Sequence, residues 1–452
     1  MSQSRRTFLR NSCLGLSAMA MSAGFERFGL LNSVVAQAQN DYKALVCIFL
    51  YGGNDGNNTV IPYEQTRYSQ YNTGRGSLAL ARESLSSTVI RPRSLGYDFA
   101  FHPAMTGFHS LWQQNKLAVL CNMGTLIEHT TKAQIQNGTA NLPELLFSHQ
   151  DQQKQWQTFP GRRSNAGWGA RIADRLRHRN TGNFPMILSF SGDELFVTSA
   201  QTEFLPLILD PGEGFTLLGF EDGTPESLAR KAALREALLV DREHPLIDGI
   251  SRISKQALDS EQLLNDALRQ VSVNTPFPET GLGLQLKQIA HIIAARNILG
   301  HKRQLFFCSI GGFDTHGIQL YRQEQQLIEL DAATKAFYDS TVELQLQDKV
   351  MSFTLSDFGR TLKPAGTGTD HAWGNHLFAI GGAVRGGDFY GAFPNLDVNG
   401  NDSLDEDGRW IPTMSVDQYA VTIARWYGVA MADLPYVAPN FRRFDRPPNF
   451  ML

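Results

Sequence analysis

The clearest pattern in the chain is at 43–51, where almost every position is apolar and the run stops at Gly52-Gly53. A short unbroken apolar run ended by glycine predicts a strand covered on both faces, because a half-exposed strand would alternate. The same signature recurs at 117–121, 304–310, 350–355 and 377–380, and 185–197 is strand-like. Other segments have the wider spacing of helices: 103–114, 142–158, 167–177, 282–299, 320–347 and 416–427. In 320–347, Leu327, Leu330, Phe337 and Leu344 fall near one helical face. Residues 225–271 are long, charged and poor in strand signals, which predicts a helical insertion at about 200–280. Alternating strands and helices predict an α/β fold: a mostly parallel sheet sandwiched by helices, as one domain over 39–452.

The first 38 residues follow a different logic. Arg5-Arg6 opens a basic segment, a weakly apolar stretch at 13–23 follows, and Ala36-Gln37-Ala38 is a small-residue cleavage pattern. The stretch is far short of the roughly 20 residues needed to cross a bilayer. Together these features read as a twin-arginine signal peptide over 1–38. The expected location is therefore periplasmic or secreted, with the twin-arginine export machinery as a partner. No later apolar stretch is long enough for a stable membrane span. The segment carries +3, so removing it takes the chain from −3 to −6. With no lysine-rich block, nucleic acid is excluded as a partner. Cys47, Cys121 and Cys308 each lie in apolar runs and read as buried small hydrophobes.

Polar residues collect beside the predicted strands. The first strand leads into Gly52-Gly53-Asn54-Asp55, and 304–310 into Gly311-Gly312-Phe313-Asp314-Thr315-His316. The 350–355 strand leads into Ser356-Asp357-Phe358-Gly359-Arg360, while Asp370-His371 and Asn375-His376 precede the strand at 377. Sites in open α/β sheets lie outside the carboxyl ends of the strands. Carboxylates and neutral imidazoles are ligands for zinc, manganese or a similar divalent ion. Each residue also has a plain role open to it: Asp55 can bond its own turn, and the histidines can be satisfied loop residues. The acidic turn at 397–408 superficially matches a calcium loop. Asp402 and Gly408 stand where Gly and Glu are needed, so it reads as a solvated turn.

On Phe49–Thr59, Gly311–Gly317, Ser356–Thr361, Gly368–His376 and Ile411–Tyr419, the chain resembles the twin-arginine-exported bacterial family called domain of unknown function 1501. That family is related to the alkaline phosphatase and sulfatase superfamily. The resemblance implies an alkaline phosphatase-like fold with two divalent ions (zinc, manganese, magnesium or calcium) flanking a Ser, Thr or Cys nucleophile. Carried over by motif, Asp314, His316 and His376 would surround one ion, and Asp55 and Asp357 the other. Phe358 departs from the superfamily's Asp-His pattern, and His371 could fill that gap. Arg360 could pair with an anionic ester or with a scaffold carboxylate. Ser148, at a predicted helix start, is the candidate nucleophile; with Asp151 it also fits a helix cap. Thr125 and Thr130 are the alternatives to it, and His149 is a candidate ligand or acid.

The expected function is an exported metal-dependent hydrolase of phosphate or sulfate esters. Its substrate would be a small anionic ester or a sulfated or phosphorylated glycan. The alternative is a non-catalytic exported protein of the same fold that binds a cell-surface glycan or partner protein.

Overall fold

The structure, a computed structural model, describes residues 41–161, 165–199, 206–209, 224–238 and 245–452. The signal peptide read at 1–38 lies outside them, as do parts of the predicted insertion. The described strands are β1 (Lys43–Leu50), β2 (Val60–Pro62), β3 (Val89–Ile90), β4 (Phe99–Phe101), β5 (Leu117–Gly124), β6 (Ile187–Ser189), β7 (Leu207–Ile208), β8 (Arg303–Ile310), β9 (Val350–Ser356), β10 (Asn375–Gly381), β11 (Phe389–Tyr390) and β12 (Met414–Ser415). The main sheet runs β11-β5-β10-β9-β1-β8-β6-β7, with β12 also on β5; β2, β4 and β3 form a small antiparallel sheet.

The main sheet is mostly parallel, as the unbroken apolar runs predict. β10 alone among its described strands runs against both its neighbours, β5 and β9. That reversal matters for the site. β1, β8 and β9 end level, with Leu50 opposite both Ile310 and Ser356. Because β10 points the other way, the segment preceding it arrives at the same end. Asp370 and His371 therefore join the loops that follow β1, β8 and β9.

Helices cover both faces. Leu45, Cys47 and Phe49 pack with Trp168, Ile172, Tyr419 and Ile423 in one buried cluster. The alternate residues Ala44, Val46, Ile48 and Leu50 point the other way and are equally buried. The Gly281–Ala294 helix packs on β8 and against the Gln319–Glu343 helix. Within the insertion, helices Pro225–Ala237 and Pro245–Leu268 are linked by a Lys231–Glu261 pair and an Arg235–Gln262 hydrogen bond of 2.9 Å. The window is not wholly helical, since β7 adds an edge strand to β6. Cys47, Cys121 and Cys308 are buried and free. Among the described residues no helix is long and apolar enough to cross a membrane.

Two predicted elements are shorter than the pattern implies. The 185–197 strand ends at Ser189, where the Ser189 hydroxyl bonds the carbonyl of Gly192 at positive φ and turns the chain. The 142–158 helix begins only at His149. Leu145 takes a left-handed φ of 49°, and the Ser148 N–H bonds the Leu145 carbonyl, so the turn delivers Ser148 and His149 to the strand ends.

Candidate functional site

Close approach at the end of β1 depends on Gly52 and Gly53, both at positive φ. A Cβ on Gly52 would lie 2.3 Å from the Asp314 nitrogen, and one on Gly53 would lie 2.5 Å from the Phe358 ring. Only a chain without side chains here lets the β8 and β9 loops close over β1.

Asp55 is not at the centre of this cluster. It caps the short Gly56–Thr59 helix, accepting from the Asn57 N–H at 3.0 Å, and is ion-paired with Arg75 and bonded by Gln319. Arg75 is fully buried and also donates to Asn58 Oδ1 and to the Thr361 and Leu362 carbonyls. The plain reading of Asp55 therefore holds: its carboxylate is consumed in joining the first turn to the β9 loop. Arg75→Met should cost about 3–5 kcal/mol, because it strands the buried Asp55 charge. Chemical denaturation would measure that loss. Metal content should stay unchanged, and its disappearance would return Asp55 to the ligand set.

Three imidazoles converge on one oxygen of Asp314. Its Oδ1 lies 3.0 Å from His316 Nε2, 3.4 Å from His371 Nε2 and 3.5 Å from His149 Nε2. His316 Nε2 and His371 Nε2 are 2.9 Å apart. Ligands about 2.0–2.1 Å from a tetrahedral zinc ion are separated by roughly 3.3–3.4 Å. The observed spacings of 2.9–3.5 Å bracket that edge.

The outward-facing ring nitrogens support the same reading. His149 Nδ1 donates to Asp357 Oδ2 at 2.7 Å, and His371 Nδ1 donates to the Phe147 carbonyl at 2.8 Å. Each bond holds the proton on Nδ1 and leaves Nε2 a free lone pair aimed at the centre, as metal-binding histidines are normally held. The residues fit a single divalent ion.

The electrostatics differ between the ligand candidates. The hydrogen bond from His149 to Asp357 raises the imidazole pKa. Burial lowers that of His371, favouring the neutral ring. Partial burial would raise the Asp314 pKa, but the Arg360 hydrogen bond and charge, with His149 and His316, outweigh it and hold the carboxyl below its usual range. Asp314 and His316 are 46% and 49% exposed, so the centre opens to solvent.

Other expected ligands are elsewhere or otherwise engaged. His376, the second residue of buried β10, accepts the Asn122 N–H at 3.1 Å and stacks on Phe393. Burial pushes its pKa down to about 3, so it is a neutral core histidine outside the cluster. Asp357 accepts from the Gly52 N–H, His149 and Gln153, which makes it the partner that orients His149. Phe358 packs its ring against His149 and His371 with centroids 4.8 and 4.5 Å away and offers no donor. With Asp55 also consumed, no second ion site is assembled from the residues the motifs assign to it.

Arg360 follows the scaffold reading. It is fully buried, and its three nitrogens donate to the Gly52, Gly53 and Thr369 carbonyls and to Asp314. It is a brace for Asp314 rather than a clamp for an ester.

Ser148 occupies the N-cap position of the His149–Thr158 helix without bonding its N–H groups. Its hydroxyl donates instead to Asp151 Oδ2 at 2.6 Å. Thr125 is buried and bonded to Gln152, and Thr130 donates to the Glu128 carbonyl. Of the three hydroxyls, Ser148 alone directly precedes a residue of the cluster, His149.

The sequence puts Asp370 beside the strands without assigning it as a ligand, and Arg409 is not expected in the site. Asp370 joins His316 and His371 in a second group of potential ligand atoms. Arg409 donates to Asp370 at 2.9 Å and to the His371 carbonyl at 2.8 Å. It also pairs with Asp405 and Asp407, while Lys132 donates to the Gly400 carbonyl, so cations from elsewhere neutralise the acidic turn. The adjacency of Asp370 to His371 was the available signal; nothing in sequence marks Arg409.

The chain belongs to the DUF1501 family, described as a protein of unknown function, whose profile matches residues 42–404. That span contains every residue of the cluster. No curated protein matches the sequence. Among solved structures, the chain is similar to the crystal structure of Ps i-CgsB at 10% identity and a TM-score of 0.35, covering 90% of this chain and 77% of that one. It is also similar to Ps i-CgsB in complex with k-i-k-neocarrahexaose, at a TM-score of 0.32 and the same identity and coverage.

Proposed function

We propose that this protein is an exported metal-dependent hydrolase of phosphate or sulfate esters on an alkaline phosphatase-like fold, with one divalent ion held by His149, Asp314 and His371. The observation that carries the reading is the pair of imidazoles whose Nδ1 protons are bonded outward while both Nε2 atoms converge on Asp314. His316, half exposed and 3.0 Å from Asp314 Oδ1, would be a further residue able to hold the ion.

A bound divalent ion would supply Lewis-acid polarisation of the ester oxygen. The protein's residues do the rest. Asp357 and the Phe147 carbonyl keep His149 and His371 in the coordinating tautomer. Arg360 fixes the Asp314 carboxylate. Ser148 offers its hydroxyl oxygen as nucleophile, its proton passing to Asp151 Oδ2 at 2.6 Å, from the start of the His149–Thr158 helix, whose N–H groups favour developing negative charge. The decisive experiment is metal analysis of periplasmic protein together with turnover of aryl phosphate and aryl sulfate.

A second reading is a metal-holding binding protein for a cell-surface glycan or partner protein. It is favoured by Arg360, whose nitrogens are all engaged with protein acceptors. Protein that retains its ion but turns over neither ester would support it.

Export by the twin-arginine route completes the proposal. Replacing Arg5 and Arg6 with Lys should abolish the processed periplasmic band. Undiminished processing removes the twin-arginine assignment and leaves the metal centre untouched.

A further inference from the structure

We propose that a cleft at the opposite end of the sheet from the metal centre binds a small polyanion carrying two or more phosphate or sulfate groups. The cleft has a volume of about 670 Å³. Its charged side chains are Arg385, Arg425 and Arg446, with no Asp or Glu side chain in the lining. It lies beside the start of β1: Trp426, which lines it, carries Lys43 over its ring at 4.8 Å. The metal centre lies beyond the other end of that strand, about 25 Å away for eight residues at roughly 3.3 Å each.

The walls are already fixed. Val384 and Met451 form an antiparallel bridge, the Arg385 N–H donates to the Phe450 carbonyl at 2.8 Å, and the Leu452 N–H donates to the Ala383 carbonyl at 2.8 Å. The Thr422 hydroxyl holds the Pro448 carbonyl at 2.9 Å, tying the same segment to the Val416–Tyr427 helix. Arg385 uses only its Nε, on the Met451 carbonyl. Among the described residues, the Arg425 and Arg446 side chains make no hydrogen bond or ion pair. All three arginines are exposed.

Guanidinium forks match the oxygen geometry of phosphate and sulfate. Three guanidinium groups with no Asp or Glu side chain among them leave the lining cationic and favour an anion shared between them. The chain beyond residue 38 is acidic at −6, so this cationic concavity stands out against the surrounding field. Concavity favours a compact ligand over a lipid surface. Leu452 is the lining's one exposed large hydrophobic side chain, leaving little to insert into a bilayer.

Titration calorimetry with sucrose octasulfate and with pyrophosphate, on the full chain at low ionic strength, tests the proposal. Both probes should bind, and binding should weaken steeply towards physiological salt, since the arginines are exposed. The Arg425→Gln/Arg446→Gln variant should bind at least about tenfold more weakly. His149→Ala should bind as the unmodified protein does, which separates this cleft from the metal centre. Three results would overturn the proposal: no binding of either probe, undiminished binding by the double arginine variant, or loss of binding in His149→Ala. Arginine-dependent capture of phosphatidylglycerol vesicles without sucrose octasulfate binding would also overturn it, in favour of a membrane surface.

Discussion

On the proposed function, His149→Ala is expected to abolish divalent-ion binding and ester hydrolysis. The substitution removes one converging Nε2 and also uncouples Asp357 from the centre. Asp357→Asn is the graded control, because loss of an orienting partner typically weakens metal affinity by about 10–100-fold. The expected order of affinity is unmodified protein, then Asp357→Asn, then His149→Ala. It can be measured by competition with a chelator and by metal content after purification. Equal metal content in all three would remove the centre and the hydrolase reading with it. Affinity should also fall as pH falls, because ligand nitrogens must be unprotonated. The raised pKa of His149 makes proton competition begin at a higher pH than for an ordinary histidine.

Ser148→Ala should lower turnover of an aryl ester by about 10⁴-fold or more, the scale of losing a nucleophile. Stability should change by less than the roughly 0.5–2 kcal/mol lost with a true cap, because the Ser148 hydroxyl caps no helix N–H and bonds Asp151 instead. Metal content should be unaffected. Alanine is more informative here than aspartate, which would set a second carboxylate against Asp151. Full turnover by Ser148→Ala would show the serine to be structural, and would leave water as the attacking group.

Why part of this was readable from sequence follows from which interactions are local. The unbroken apolar run of β1 and its terminal glycines announce a buried parallel strand, because burial on both faces and a tight exit are local demands. Asp314 and His316 could be picked out for the same reason: they stand just past a strand end, where backbone direction alone aims side chains at a shared crevice. The three buried cysteines needed only their apolar neighbours.

The roles of the remaining residues were decided by partners far away in sequence. Asp55 and Asp357 look alike at strand ends, yet Arg75 takes one and His149 the other. Arg360 has the chemistry of an anion clamp, but the carbonyls of Gly52, Gly53 and Thr369 are folded onto it. His371 and His376 are five positions apart and were equal candidates. The antiparallel course of β10 brings the loop bearing His371 to the strand ends, while His376, inside the strand, is stacked on Phe393 in the core. Sequence by itself determined the α/β pattern, the strand-end crevice and the residue types that could fill it. Only tertiary structure decided which of them meet, because a carboxylate or imidazole is a ligand, a brace or a core residue according to the partner that reaches it first.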